Sequence, residues 1–221
     1  QSGRKYIPDF DSIVVNNGID QQRFNPANKF KDVRAELNIP RESTLLLFLA
    51  RFTSHKQPLA LINALASAVK QKSDLHLLMV GDGDQKQEAV EILRKLQLED
   101  KVTLVPFRQD VPDILAAADI YILPSLWEGL PIGLLEAMAM GKAVIGTKVD
   151  GTSEVINDRE NGLLIDMDDL VGNLEKKIIS LSGDRAMQQS LAKKAIETVN
   201  EKYSAKYMTE QIEGIYDSVL A

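Results

Sequence analysis

The sequence predicts an α/β fold: one parallel sheet with helices on both faces, followed by a helical tail. Two observations carry this. Short, nearly continuous apolar runs recur along the chain, the pattern of strands buried on both faces. Between them lie segments of helical periodicity with short loops, which requires parallel strands joined by crossovers.

Apolar runs place strands at 12–15, 44–50, 75–80, 102–105, 120–123, 143–146 and 162–165. The 3.6-residue period places helices at 29–37, 58–70, 85–96, 111–117 and 132–140. From residue 168 to 221 the pattern is helical throughout. No repeat, low-complexity tract or linker interrupts it. The expectation is one domain over 1–221, with a core over about 12–166 and terminal helices over about 168–221.

The bulk composition removes several classes. The chain has 221 residues, 44% of them hydrophobic and 26% charged, ample for a core. There is no cysteine, so disulfides and thiolate metal sites are excluded; a reducing cytoplasm is compatible. His55 and His76 are too few for a histidine-rich metal site. A net charge of −6 argues against nucleic acid, which needs a broad basic field. The longest apolar run, Leu45 to Ala50, is far short of the ~20 residues of a membrane span. The chain does not begin with methionine, as expected of a processed or excised piece.

Ligands of parallel sheets sit at the carboxyl ends of the strands, at the point where the strand order reverses. Those ends carry Arg51, Gly81-Asp82-Gly83, Pro106-Phe107-Arg108 and Pro124-Ser125. The most informative segment follows the last of these, from Trp127 to Gly141. Pro131 fits the first position of a helix, where its missing N–H costs nothing. The amides of Ile132, Gly133 and Leu134 would then face the loop and, with the helix dipole, form an anion site. Gly133 would let a phosphate approach the backbone. Glu128 precedes this helix start, and Glu136 lies about 7 Å along the helix at ~1.5 Å per residue. A diphosphate there would present one hydroxyl-bearing group to each carboxylate, which can only accept hydrogen bonds. The plainer reading has Glu128 solvated and Glu136 solvated or paired with Lys142.

This segment resembles the Glu-x7-Glu signature of retaining two-domain glycosyltransferases, the GT-B group 1 or family 4 type. Val14-Val15-Asn16-Asn17-Gly18-Ile19-Asp20 with Arg23-Phe24 resembles the family's entry into its C-terminal domain. Val80-Gly81-Asp82-Gly83, Ala118-Asp119, Gly151-Thr152-Ser153-Glu154 and Asn161-Gly162-Leu163 follow in the family's order. The chain departs from the family at Ala50 and Gln57, where Gly is frequent, and at Asn16 and Ser153, where Pro is.

The resemblance implies a Rossmann-like donor-binding half, with the N-terminal acceptor domain absent from this sequence. It implies sugar transfer from a nucleotide-diphosphate sugar to an acceptor hydroxyl, with retention, in polysaccharide or glycoconjugate synthesis. Glu128 would hold the donor sugar and Glu136 the ribose. Arg51, Lys56 and the amides of Ile132, Gly133 and Leu134 would hold the diphosphate, and Gly129, Leu130 and Pro131 would also belong to the donor site; Arg51, Lys56 and Glu128 form the catalytic set. Phe107 and Arg108 would lie near the base, although an aromatic after a strand is usually core. No metal or other cofactor is expected. Neither is a nucleic-acid partner, and any membrane contact would run through the missing half of a cytoplasmic protein. The alternatives are a sugar-nucleotide epimerase on the same scaffold and a non-catalytic nucleotide-binding module.

Two further features have bland readings. Gly81-Asp82-Gly83-Asp84-Gln85-Lys86 imitates a dinucleotide fingerprint but lacks the third glycine, and its aspartates would repel a pyrophosphate. A tight turn with Asp84 as helix cap is expected instead. The last helix carries Tyr207, Met208, Ile212, Ile215, Tyr216 and Val219 at helical spacing. Its first half is expected to pack on its own domain, and its end on the absent one.

Overall fold

The computed structural model describes residues 13–220. Six parallel strands form one sheet: β1 (Thr44–Leu49), β2 (Leu75–Val80), β3 (Val102–Val105), β4 (Ile120–Leu123), β5 (Ala143–Thr147) and β6 (Leu163–Ile165). Their spatial order is β3-β2-β1-β4-β5-β6, all pairs parallel. The order reverses between β1 and β4, where Leu46 pairs with Ile120 and Leu47 with Tyr121.

Alternate residues of each strand feed two separate cores. Leu45 and Leu47 of β1 join one, with Tyr121, Leu123 and Val144; Leu46 and Phe48 join the other, with Ile120, Ile122 and Ile145. These side chains are fully buried or nearly so. Burying each Leu or Ile contributes about 1.5–3 kcal/mol, so the continuous apolar runs specify burial on both faces.

The helices are α1 (Val33–Glu36), α2 (Pro58–Gln71), α3 (Lys86–Lys95), α4 (Val111–Ala117), α5 (Ile132–Ala139), α6 (Asp150–Val155), α7 (Leu170–Gly183), α8 (Arg185–Lys202) and α9 (Ala205–Leu220). α2 and α7 pack together on one face; α5 and α8 pack together on the other.

Three expectations need correction, and one helix is not marked by the sequence pattern. Residues 13–15 form no strand, and Ser12 lies outside the described residues. The helix expected over 29–37 shrinks to α1, because Asp32 caps it by accepting from the Ala35 amide at 3.0 Å. The weak helix formers Gly151, Thr152 and Ser153 nonetheless form α6. Asp84 caps nothing: α3 begins after Gln85, without a side-chain cap.

The tail helix α9 is tied down at its start. Ile19 donates to Tyr203 O at 2.7 Å, Ala205 to Ile19 O at 3.0 Å, and the Gly18 amide meets Met208 Sδ at 3.3 Å. No residue of α9 is buried, its first half included, and Tyr207, Ile212, Tyr216 and Val219 are exposed. No helix among the described residues is long and apolar enough to cross a membrane.

Gln57 holds a left-handed backbone (φ 56°) between a single 3₁₀ turn, Ser54–Lys56, and the start of α2. This conformation is costly for residues with a Cβ, most of all β-branched ones. Gln57→Val is expected to lower stability by ~1–2 kcal/mol in urea unfolding, whereas Gln57→Gly should not lower it.

Candidate functional site

Where the strand order reverses, the helices after β1 and β4 lie on opposite faces of the sheet, the arrangement beside which such sheets bind their ligands. The β1 loop stays paired to the chain leaving β2. Ala50 donates to Val80 O at 3.2 Å, Phe52 to Asp82 O at 2.9 Å, and Gln85 to Phe52 O at 2.9 Å. A Cβ on Gly81 would lie 2.1 Å from Ala50 O, and one on Gly83 would lie 2.3 Å from Phe52 O. The two glycines therefore permit this close approach, and the pairing fixes Arg51 at the end of β1. Asp82 pairs with Lys86 and accepts from the Phe107 amide at 2.9 Å. Arg51 is exposed and makes no ion pair among the described residues.

The β4 loop is fastened to the β1 loop at three points. The Leu126 amide donates to His55 O at 2.7 Å. The His55 and Trp127 rings stack at 4.4 Å with 15° between planes. Lys56 Nζ meets Glu128 Oε1 at 2.5 Å, with both side chains largely covered. Two of the predicted site residues are thus bound to each other.

From beneath, α6 presses on the same loop. The Gly151 amide donates to Glu128 O at 3.3 Å, and a Cβ on Gly151 would lie 1.5 Å from Gly129 O. Thr147 Oγ1 donates to Ser125 O. Around Gly129 itself a Cβ would meet nothing within 4 Å, so the steric demand falls on Gly151. Leu130 packs against the core as a partly buried residue.

The start of α5 differs from expectation in one respect. Pro131 is the residue before the helix, and its carbonyl accepts from Leu134 at 3.0 Å and Leu135 at 3.1 Å. The Leu134 amide is therefore engaged; those of Ile132 and Gly133 donate to no backbone carbonyl. Gly133 meets a second demand: a Cβ there would lie 2.9 Å from the Tyr121 hydroxyl beneath it.

Glu136 is half-buried and makes no ion pair among the described residues. Burial pushes its carboxyl above the ordinary range, and the Arg23 guanidinium opposes this. Lys142, its partner only in the plainer reading, donates to the Ala116 and Ala118 carbonyls at 3.0 Å each. Nothing in the spacing of Arg23 links it to Glu136, so sequence alone does not mark it as a neighbour of the site.

The two residues after β3 part ways. Phe107 is not core but 69% exposed. Arg108 is held by Glu36 at 2.5 Å and by Asp110, and both carboxylates raise its pKa. Its charge is already compensated there.

A cavity of about 570 Å³ lies at the opposite end of the sheet, by Thr44 and Asp119. There Asp119 Oδ2 accepts from the Leu45 amide and Arg34 Nη2, each at 2.7 Å, tying β1 to β4. Ala118-Asp119 is thus a structural clamp.

Comparison with known proteins assigns the class. The sequence profile described as "Glycosyl transferases group 1" matches residues 29–198, so the chain belongs to the group 1 glycosyltransferase family. It is 30% identical over 213 residues to the N-acetyl-alpha-D-glucosaminyl L-malate synthase of Bacillus anthracis, covering 96% of this chain and 55% of that protein. It is 29% identical over 169 residues to an Escherichia coli UDP-Gal:alpha-D-GlcNAc-diphosphoundecaprenol alpha-1,3-galactosyltransferase, covering 75% and 44%. The chain thus spans about half the length of these relatives.

Among solved structures, a glycosyltransferase from Rickettsia africae superposes with a TM-score of 0.83 at 26% identity, covering 94% of this chain and 57% of that one. The C-terminal domain of a group 1 family protein from Francisella tularensis superposes at 0.75 with 26% identity, covering 85% of this chain and all of that one. Anabaena HepE, solved with UDP and glucose, shares the fold at a TM-score of 0.82 and 24% identity, with 93% and 57% covered. The parallel Rossmann-like sheet is that of GT-B glycosyltransferases.

Two outcomes follow. Gly151→Ala must displace the Glu128–Gly129 backbone; a loss of ~2–4 kcal/mol in urea unfolding is expected, against under 1 kcal/mol for Gly129→Ala. Trp127 is the single tryptophan, so its emission reports on the imidazole stacked on it. Burial and the neighbouring Lys56 lower the His55 pKa. Emission should therefore fall on acidification with a midpoint below the ordinary 6.5, and His55→Gln should abolish that step.

Proposed function

We propose that this chain is the donor-binding, C-terminal half of a GT-B enzyme that transfers a sugar from a nucleotide-diphosphate sugar to an acceptor hydroxyl with retention. The observation that carries it is the convergence of Arg51, Lys56, Glu128 and the open amides of Ile132 and Gly133 at the strand-order reversal. The diphosphate sits between the two cations and the start of α5, where the amides and helix dipole favour anions. Lys56 keeps one N–H on Glu128 and offers the others to phosphate. Glu128 accepts from hydroxyls of the donor sugar and Glu136 from those of the ribose. Fixed donors around the departing diphosphate stabilise the charge that develops on it.

In this reading no metal is required, because cations and amides meet the diphosphate. Phe107 lies by the base, while Arg108 supports its loop through Glu36 and Asp110 instead of touching the ligand. The acceptor is chosen by an N-terminal half, against which the exposed apolar face of α9 docks. Membrane contact, if the full protein makes any, runs through that half. The relatives' names and the UDP in HepE support a nucleotide-sugar ligand, and polysaccharide or glycoconjugate synthesis fits the same company.

Calorimetry with UDP, GDP and ADP is expected to identify one binder, with little or no sugar transfer by this chain alone. Arg51→Ala and Glu136→Ala should each weaken that binder by about ten- to 150-fold, the loss of one charge-assisted hydrogen bond. Unchanged affinity in both variants overturns the assignment.

The pH dependence has a defined sign. Glu136 binds hydroxyls best as the carboxylate, and its folded pKa is raised. Affinity for a nucleotide sugar, whose phosphodiester groups do not titrate there, should fall on acidification with a midpoint above 4.5. Glu136→Gln should remove that dependence.

A further inference from the structure

Trp127 has no role in the site described so far, yet its placement is constrained. Its ring lies flat on His55, and His55 is itself held through Thr53 Oγ1 at 3.0 Å and by accepting from Leu126 N. With one face covered, the residue is still 63% exposed, so the other face of the indole is open. Leu126 and Ile132 add exposed apolar surface in the same segment. Exposed aromatic area costs about 25 cal/mol per Å² unless something covers it. A rigidly backed, one-face-open indole is thus a prepared surface.

The chemistry of its neighbour narrows what covers it. Glu128 follows directly in the chain and offers only acceptor oxygens. A pyranose has two kinds of surface: an edge of hydroxyls and a face of C–H groups. In the reading above Glu128 holds the donor sugar, so the open aromatic face of the adjoining residue suits the C–H face of that same pyranose.

We infer that the open face of Trp127, backed by the His55 ring, is a stacking platform for the pyranose of the donor, the sugar being transferred. This rests on the donor-binding reading above. His55 acts here as a positioning residue: it holds the indole and touches no ligand. Because the platform meets only the sugar, it discriminates nucleotide sugars from bare nucleoside diphosphates.

The test is a paired titration of this chain, by calorimetry and by emission of its single tryptophan. The ligands are the best nucleoside diphosphate and its hexose conjugates. The conjugate is expected to shift the emission with the calorimetric midpoint, whereas the diphosphate binds without that shift. Trp127→Ala should weaken the conjugate by about three- to tenfold, the scale of one aromatic stack, and the diphosphate less than twofold. Trp127→Tyr should restore most of the loss, and His55→Ala should give an intermediate loss confined to the conjugate. An equal loss for both ligands in Trp127→Ala overturns the platform and leaves donor binding intact, as the indole then only holds the loop. Unaltered conjugate affinity in Trp127→Ala also overturns it and points to another partner, such as the other half of the enzyme. If the wild-type chain binds neither ligand, the donor-binding reading itself falls.

Discussion

The reversal of strand order between β1 and β4 is the constraint on which the site depends. On either side of it the crossovers run to opposite faces, which in such sheets makes this end of the central strands the place for a ligand crevice. Each loop is then fixed by a contact that only glycine allows. Gly81 and Gly83 let the chain after β2 lie against Ala50 and Phe52, which fixes Arg51. Gly151 lets α6 press against the Glu128–Gly129 backbone. The place follows from topology; the loop geometry follows from these close approaches.

Charge within the crevice is only partly balanced. Lys56 and Glu128 neutralise one another in a largely covered pair. Removing one partner of such a pair leaves the other charge poorly solvated, at a cost of about 3–5 kcal/mol when fully buried. The pair therefore fixes geometry more than it supplies attraction. Attraction for an anion comes from Arg51, which has no acidic partner among the described residues, and from the open amides of Ile132 and Gly133. At an effective dielectric constant of ~20, two unit charges 4 Å apart interact by about 4 kcal/mol. Glu136 sets the opposite limit: burial makes its charge costly, and hydroxyl donors from a ligand would relieve that cost.

The sheet is legible in the sequence because its strands are buried on both faces. An uninterrupted apolar run such as Leu45 to Leu49 leaves no polar edge to face water, so it belongs between two cores. Arg51, Lys56 and Glu128 are candidates legible for a related reason: each sits where a strand ends or just before a helix starts, and local pattern marks those points; Glu136 lies inside α5 and is marked by its spacing from Glu128. What stays hidden depends on contacts distant in sequence. Arg108 looks like any cation at a strand end until Glu36, 72 residues away, engages it. His55 reads as a loop residue until Trp127 is brought onto it. α6 is written in poor helix formers, and its position against the β4 loop outweighs their propensity. The free Leu134 amide is lost to a detail of one residue: Pro131 lies just before the helix, so its carbonyl takes that amide.

The same contacts account for a formed site in a chain half the length of its relatives. Both faces of the sheet are covered by the chain's own helices, and the loops are cross-linked to each other and to α6. Little order remains to be imposed by a ligand, which lowers the entropic cost of binding. By contrast, α9 buries none of its residues although it carries Ile212, Tyr216 and Val219. Among the described residues the candidate site is therefore held by contacts within this fold, while α9 is a long unburied helix at its end. In the proposed function binding and turnover divide along that line: the loops held within this fold would grip the donor, and attack on it would need a second reactant positioned from the open side.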